Sequence, residues 1–326
     1  MKKLLLSVFA IAALASCMQD ETLGAAQREN IVFENAFVDN ATKAIDPSIT
    51  TNGENAISEF QVWGTTQGDH DGAVIVPIFE NEKVDNTTGD WRYDSGKTQY
   101  WIDGNKYNFA AVVNGTVETL EKGLPKTIKY STPGKDLLYA RSTNDIKGKA
   151  SGNDKVGFTF SHLLSKAVFT FTNVSTNNTN NLYVVENITI SGLSDEAVYT
   201  IGGAWDAHQY DPSYVVSFGN IVADGTATNE PAAAVSATPL KSNYECLLIP
   251  GKHNVTISCT IKLYLNGSYD PANPNENLAK VTEYSKTLDL TLAPRTAYNF
   301  ALSAGLTDAI EFKVNKVNDW GAYKNL

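Results

Sequence analysis

The chain has 326 residues, of which 42% are hydrophobic and 10% aromatic, and its formal net charge is −10 at pH 7. This negative charge repels phosphates, and no basic run offsets it, so nucleic acid is excluded as a partner. Abundant Tyr, Phe, Val, Ile and Thr favour strands over helices. No segment has a sustained 3.6-residue apolar period, and short alternating runs separated by Gly, Pro and Asn predict an all-β chain of sandwich domains.

The first 16 residues have the order of charged, apolar and small residues that secretory signals have. Two lysines precede the apolar run Leu4–Leu14, which is too short to span a bilayer. Small residues and Cys17 follow, so the segment resembles a bacterial lipoprotein signal, which implies cleavage before Cys17 and lipidation of that cysteine. An ordinary signal with a chance cysteine is the alternative. Removal of residues 1–16 leaves 310 residues with a net charge of −12, and polar residues 17–28 predict a tether.

The mature length predicts more than one domain. A chain of 310 residues exceeds what one β-domain usually holds, so we expect two. A loop rich in Gly, Lys and Asn at residues 143–154 comes before a new set of alternating runs. We therefore predict an N-terminal β-sandwich at residues 29–158 and a C-terminal β-sandwich at residues 159–326.

The opening strand is predicted at residues 29–38. Ile31 and Phe33 share one face of this segment, although Val32 makes the alternation imperfect. The following residues, 40–55, are polar and include a proline and a glycine, which predicts an exposed loop.

Two further cysteines, Cys246 and Cys259, flank a Pro-Gly turn. A hairpin centred between Lys252 and His253 would place the two cysteines directly opposite each other. An oxidising compartment would then permit a disulfide. The alternative is two buried free thiols, because cysteine is often a small core residue. Metal binding is disfavoured, since no second Cys or His pair lies nearby.

Motifs of catalysis are missing from the sequence. No two of the four histidines have metal-ligand spacing, and there is neither a Gly-x-Ser-x-Gly elbow nor a Gly-rich phosphate loop. Asp69-His70-Asp71-Gly72 lacks the alternating carboxylates and distal Glu of a calcium loop and predicts a polar turn. We expect no catalytic residue, no metal and no cofactor. Because carboxylates are plentiful, a secreted hydrolase with an unmarked carboxylate pair stays open as a third reading.

His162 and an aromatic segment have both a chemical and a structural interpretation. His162 has no marked nucleophile or acidic partner, which favours a partly buried, hydrogen-bonded histidine at the domain junction over a base or ligand. Trp91, Tyr93, Tyr100 and Trp101 would suit a sugar-stacking platform if exposed, although aromatic residues in strands more often belong to the core.

These segments together resemble the fimbrillin-like lipoproteins of Bacteroides and relatives, which are the shaft, tip and anchor subunits of type V pili. Besides the signal, the resemblance rests on Trp101–Val113, on Phe158-x-Phe160-x-His162-Leu163-Leu164-Ser165-Lys166, and on Ile310-x-Phe312-x-Val314-x-x-Val317-x-x-Trp320. It implies two tandem transthyretin-like β-sandwich domains and display on the cell surface from the outer membrane. Met18-Gln19-Asp20-Glu21 looks like the acidic tag that directs such lipoproteins outward.

The resemblance also implies a mechanism. In this family the first strand of the precursor fills a groove, an extracellular trypsin-like protease cuts the next loop, and a strand from another subunit replaces the first one. Here the leaving strand would be residues 29–38, with Ile31 and Phe33 in the groove. The cut would fall after Lys43, with Arg28 as the alternative, although the family more often has arginine there. The donor would be Ile310–Val317, which could equally be a permanent strand of the second domain.

The favoured function is therefore a structural subunit of a cell-surface pilus that supports adhesion. Its implied partners are other pilus subunits, the outer membrane through the lipid anchor, and the protease. The alternative is a monomeric surface lipoprotein or pilus-tip adhesin that binds glycan or a host protein.

Overall fold

The computed structural model describes residues 28–38, 57–86, 89–174, 182–208, 211–221, 240–241, 246–265, 269–270, 272–305 and 310–317. Within these ranges the chain forms strands and one short 3-10 turn, Ser95–Lys97, which confirms the predicted all-β class. No helix in the same ranges is long and apolar enough to cross a membrane. The strands are β1 (Phe33–Val38), β2 (Glu59–Gln67), β3 (Ile75–Asp85), β4 (Lys106–Val113), β5 (Thr116–Glu121), β6 (Leu124–Ser131), β7 (Leu138–Arg141), β8 (Ile146–Lys147), β9 (Val156–His162), β10 (Ser165–Asn173), β11 (Leu182–Ser191), β12 (Glu196–Thr200), β13 (Trp205–His208), β14 (Val215–Ile221), β15 (Leu240–Lys241), β16 (Cys246–Leu248), β17 (Gly251–Tyr264), β18 (Leu278–Leu292), β19 (Ala297–Ala304) and β20 (Glu311–Val317).

The strands belong to four sheets. A seven-stranded sheet has the order β1-β9-β7-β4-β2-β3, with β8 beside β4, and a five-stranded sheet has the order β15-β10-β19-β20, with β16 beside β10. The two four-stranded sheets have the orders β14-β11-β17-β18 and β13-β12-β6-β5.

The seven-stranded sheet encloses the first core with one of its faces. Strands β1 and β3 are its two edges, yet the ring of Phe33 in β1 lies 5.5 Å from the ring of Phe79 in β3. The sheet therefore curls until its edges approach each other. Alternating apolar residues of β2, β4 and β9 fill the space inside, as their pattern predicts.

The second core lies between the five-stranded sheet and the β14-β11-β17-β18 sheet. Phe169 of β10 and Phe300 of β19 come from one sheet, and Phe218 of β14 from the other. The ring of Phe218 lies 6.1 Å from Phe169 and 5.7 Å from Phe300. Side chains from two facing sheets thus interdigitate, which is the packing of a β-sandwich.

A third core joins the two halves of the chain. Trp63 and Val112 on the outer face of the seven-stranded sheet pack with residues of the β13-β12-β6-β5 sheet. That sheet takes β5 and β6 from the first half of the chain and β12 and β13 from the second, so we call it the shared sheet. The predicted boundary after residue 158 falls within β9, and the division into two domains stays a prediction.

A tetrapeptide is repeated in the first and second cores. Tyr-Asn-Phe-Ala occurs at Tyr107–Ala110 in β4 and again at Tyr298–Ala301 in β19. In both copies the tyrosine hydroxyl accepts a hydrogen bond at 2.7 Å from the N–H five residues earlier. In both it also donates at 3.3 Å to the carbonyl seven residues earlier. The repeat places the same loop-closing tyrosine in both cores.

The junction motif connects the halves through a short segment. His162 is buried at the end of β9, and its Nδ1 hydrogen-bonds the carboxylate of Asp136, an acidic partner that the sequence did not mark. The next two leucines are buried in the third core. Ser165 then begins β10, and its hydroxyl donates to the carbonyl of Ala293 at 2.8 Å.

The predicted hairpin between Cys246 and Cys259 is wrong. Cys246 lies in β16 opposite Ala167, and Cys259 lies in β17 opposite Tyr284, so the two cysteines are in different sheets and are not joined by a disulfide. Alternation within each strand is real, but it does not specify which strand becomes the neighbour. Burial raises the pKa of the Cys259 thiol to about 12, as expected of a core cysteine.

Candidate functional site at the first strand

The first strand fills the first core with alternate side chains. Ile31 and Phe33, which the sequence places on one face, are 0% and 2% exposed, whereas Val32 is 38% exposed. A bulge between Glu34 and Ala36 shifts the register by one residue, so that Ala36 is also buried. With strict alternation, the next inward position after Phe33 would fall on a polar residue. The bulge moves that position by one residue, to the apolar Ala36.

Phe33 is the centre of an aromatic cluster. Its ring lies 5.5 to 6.1 Å from five other rings, most of them edge-on. The five belong to Phe60, Phe79, Tyr93, Phe109 and Phe158. Rings from β2, β3, β4 and β9 thus form a pocket that a single residue of β1 occupies.

The first strand is held on both sides. On one side β1 pairs in parallel with β9 from Phe33 onward. On the other side the segment Trp91–Trp101, which we call the clamp, holds the residues just before β1. The N–H of Ile31 donates to the carbonyl of Gln99 at 2.9 Å, and the N–H of Trp101 donates to the carbonyl of Glu29 at 2.9 Å. The first segment therefore lies in a slot with two walls.

Tyr93 closes this slot. Its hydroxyl donates to the carbonyl of Ile31 at 2.8 Å and accepts a hydrogen bond from the N–H of Gln99 at 3.3 Å. Burial raises the pKa of Tyr93, so the hydroxyl stays protonated and remains a donor at neutral pH. The ring of the same residue packs against Phe33.

The clamp is anchored to β3. Lys97 forms an ion pair at 2.5 Å with Glu82, whose side chain is only 7% exposed. The hydrogen bond to Glu82 raises the pKa of Lys97. Arg92 and Asp85 exchange two backbone hydrogen bonds at 2.8 and 2.9 Å. These contacts fix the clamp at its start and in its middle.

Glu29 ties the beginning of the segment to the loop before β9. The backbone N–H and the side-chain amide of Asn153 both donate to the Glu29 carboxylate at 2.8 Å. These hydrogen bonds hold the pKa of Glu29 below its usual value.

The remaining predicted site residues are spread along the chain. Arg28 is exposed at the start of the described residues, whereas Cys17 and Lys43 lie outside them. The expected donor segment forms β20, an edge strand that pairs with β19 from Ala297–Val317 to Ser303–Glu311.

The four aromatic residues of the sugar-platform hypothesis belong to the clamp. Trp101 is only 3% exposed, and Trp91 packs against Phe60 at 5.1 Å, while Tyr100 alone is largely open at 45%. The sequence did not reveal the clamp, because its backbone contacts with residues 29–31 leave no pattern in the side chains. The dense aromatic composition of residues 91–101 was its one sequence signal.

The described ranges show no metal-binding cluster. None of their His, Cys, Asp and Glu residues form a group of three or more that could hold a metal ion. Asp69, from the motif considered for calcium, instead forms ion pairs with Lys106 and Lys147 at 3.7 and 3.4 Å.

Comparison with known proteins decides the family. The family described as fimbrillin-like matches residues 42–320. The chain belongs to the fimbrillin-like family. Membership makes it a fimbria-related structural or adhesion protein of the cell surface and not an enzyme, so the hydrolase reading is set aside. No curated protein sequence matches the chain.

Solved structures from Bacteroides and Porphyromonas are similar to this chain. A fimbrial protein from Bacteroides vulgatus is 15% identical with a TM-score of 0.58, over 88% of this chain and 98% of that one. A protein from Bacteroides ovatus that is proposed to act in cell adhesion is 15% identical with a TM-score of 0.50, over 90% and 96% of the two chains. The fimbrial anchor protein Mfa2 from Porphyromonas gingivalis is 12% identical with a TM-score of 0.35, over 89% and 98%. For the first two, the likeness shows a shared fold with this fimbrillin-like chain.

Proposed function

We propose that this fimbrillin-like chain is a structural subunit of a cell-surface pilus that assembles by protease-triggered strand exchange. It is exported as a lipoprotein, with Cys17 lipidated and the outer membrane as its first location. The observation that carries the proposal is the placement of the first strand, which fills the first core from the edge of a sheet. Lys43 follows β1 in the sequence, so a cut after it would separate β1 from the rest of the chain.

Loss of the first strand would leave an empty slot that favours binding of another strand. The pockets of Ile31 and Phe33 would be open to water, and the edge of β9 that pairs with β1 would have unpaired backbone groups. Exposed apolar surface and an unpaired strand edge both favour the addition of another strand. Ladder hydrogen bonds then supply affinity, and the side-chain pockets supply specificity.

The C-terminal strand carries a matching pattern. Ile310–Val317 reads Ile-Glu-Phe-Lys-Val-Asn-Lys-Val, and Ile31–Val38 reads Ile-Val-Phe-Glu-Asn-Ala-Phe-Val. Both have isoleucine first and phenylalanine third, and in β1 these two positions precede the bulge and fill pockets of the first core. Phe312 is 7% exposed in its own sandwich, where β20 is an edge strand. This match supports a second copy, or a homologous subunit, as the partner that donates the strand.

Limited trypsin digestion of folded residues 18–326 tests this function. We expect one early cut after Lys43, release of the fragment that contains β1, and a ladder of oligomers on a native gel. Lys43→Gln should stay uncut there and monomeric, whereas Arg28→Gln should behave like the unaltered chain. A product that is cut after Lys43 and loses β1 but stays monomeric would contradict strand exchange and favour a tip adhesin or a monomeric lipoprotein.

The identity of the protease has its own test. An arginine-specific protease should cut after residue 43 in Lys43→Arg but not in the unaltered chain, whereas a protease that accepts both lysine and arginine should cut both chains there. Digestion of the two chains side by side, read by mass spectrometry, separates the two specificities.

A further inference from the structure

We propose that the clamp, Trp91–Trp101, is a latch that retains the first strand and sets the rate at which this strand leaves after cleavage. This role rests on the proposed strand exchange. It makes the release of β1 a separate step from the cut itself, governed by residues that lie outside both β1 and β9.

The contacts of the leaving segment are divided along its length. The ladder with β9 begins at Phe33, opposite Val156. The backbone of residues 29–31 is held by the clamp instead, through Gln99, Trp101 and the hydroxyl of Tyr93, while Asn153 binds the Glu29 carboxylate. A cut after Lys43 frees the C-terminal end of the segment but alters none of these bonds. The strand can therefore leave only when the clamp releases its N-terminal backbone and the Glu29 carboxylate leaves Asn153.

The clamp is itself fixed to the first sandwich by polar contacts. Lys97 lies mid-clamp and is 60% exposed, yet it pairs with a carboxylate on β3 that is 7% exposed. Moving the clamp away would leave the Glu82 charge in a poorly solvated site without this partner, which opposes opening. At the far end, the hydroxyl of Tyr107 accepts a hydrogen bond from the N–H of Ile102 at 2.7 Å. Opening therefore depends on the contacts of Lys97 and Tyr93 between two fixed ends.

Hydrogen exchange on the uncut chain (residues 18–326) tests the latch directly. The N–H of Ile31 is bonded only when the clamp is closed, so its exchange rate reports clamp opening. Tyr93→Phe removes one hydroxyl, and Lys97→Met removes one charge while it keeps the aliphatic stem. Each variant should exchange the Ile31 amide roughly 3- to 10-fold faster than the unaltered chain, the ratio expected for loss of one net hydrogen bond.

Matched variants control for general loosening. Tyr298→Phe removes a loop-closing tyrosine hydroxyl in the second sandwich, the counterpart of Tyr107. Lys262→Met breaks a half-buried ion pair with Glu186, also at 2.5 Å. Both should leave exchange at Ile31 unchanged. Amides of β4 report global unfolding, so an Ile31 amide that exchanges faster than they do in every chain shows that its exchange follows local opening.

The latch and the strand-exchange function can fail separately. Unchanged Ile31 exchange in both clamp variants would overturn the latch, whether or not the cut chain forms oligomers. Faster exchange with no release of β1 after cleavage would support the clamp contact but contradict the strand exchange. If both proposals hold, the cut forms of Tyr93→Phe and Lys97→Met should release the β1 fragment faster than the cut natural chain, as read by intact mass over time.

Discussion

Phe33 contributes most of the side-chain packing that holds the first strand in the core. Its ring touches five other rings at the centre of the first core, and the residue is 2% exposed. Its neighbour Val32 is 38% exposed and contributes little side-chain packing. The two side chains therefore contribute unequally to the stability of the first core, although the backbone of both residues is held in the slot.

Replacing Phe33 with alanine should lower the free energy of unfolding by about 3–5 kcal/mol, because the surrounding rings cannot close the cavity completely. Val32→Ala is the matched control and should change it by less than about 0.5 kcal/mol. Thermal or urea unfolding of the uncut chain measures both. Equal effects of the two substitutions would mean that the ring of Phe33 is not packed in solution.

At the scale of elements, strand positions followed from the sequence better than strand partners did. Alternation predicted β9, β19 and β20 because one face of each is buried. The same alternation placed β16 and β17 in one hairpin, but the chain instead crosses from one sheet of the second sandwich to the other. A Pro-Gly turn marks a change of direction without specifying its angle, and this is why the predicted cysteine pair is not formed.

His253 stabilises that crossing. It is buried at the start of β17, and its Nε2–H donates to the carbonyl of Ile249 at 3.0 Å across the turn. Burial lowers the pKa of His253 below the ordinary value of 6.5, so the folded chain keeps this imidazole neutral.

Stability should fall as the pH drops through about 6.5 toward the lower pKa of folded His253, because only the unfolded chain then gains this proton. His253→Gln keeps a donor for Ile249 but cannot titrate, so its melting temperature should fall less between pH 8 and pH 5. Thermal unfolding of both chains across that range measures the difference. Identical pH dependence would show that His253 is not buried as a neutral imidazole.

At the scale of the whole molecule, the shared sheet decides how the halves behave. The sequence predicted two domains of similar size, and the repeated Tyr-Asn-Phe-Ala supports two related cores. It did not predict that β12 from the second half would pair with β6 from the first, from Glu196–Ser131 to Thr200–Thr127. Such a pairing joins residues far apart in the chain, and local alternation carries no information about it.

The two cores should unfold in a single transition, because opening either one exposes part of the third. Calorimetry of the uncut chain should give a calorimetric enthalpy equal to the van't Hoff enthalpy. Ala197 is 1% exposed in the third core, so Ala197→Asp should weaken the shared sheet and separate the transition into two. Ala204→Asp, at an exposed position of the same hairpin, is the control. Two transitions in the unaltered chain would contradict this coupling.

The pairing of β6 with β12 also has a mechanical consequence. If neighbours in a filament grip the chain at the slot of β1 and at the position of β20, tension enters through one sandwich and leaves through the other. Between them runs the short covalent link from His162 to Ser165, and beside it lies the antiparallel ladder from Glu196–Ser131 to Thr200–Thr127. Stretching the subunit must therefore break this ladder and open the third core before the halves can separate. The force that each subunit withstands is then set by the β6–β12 pairing and the third core.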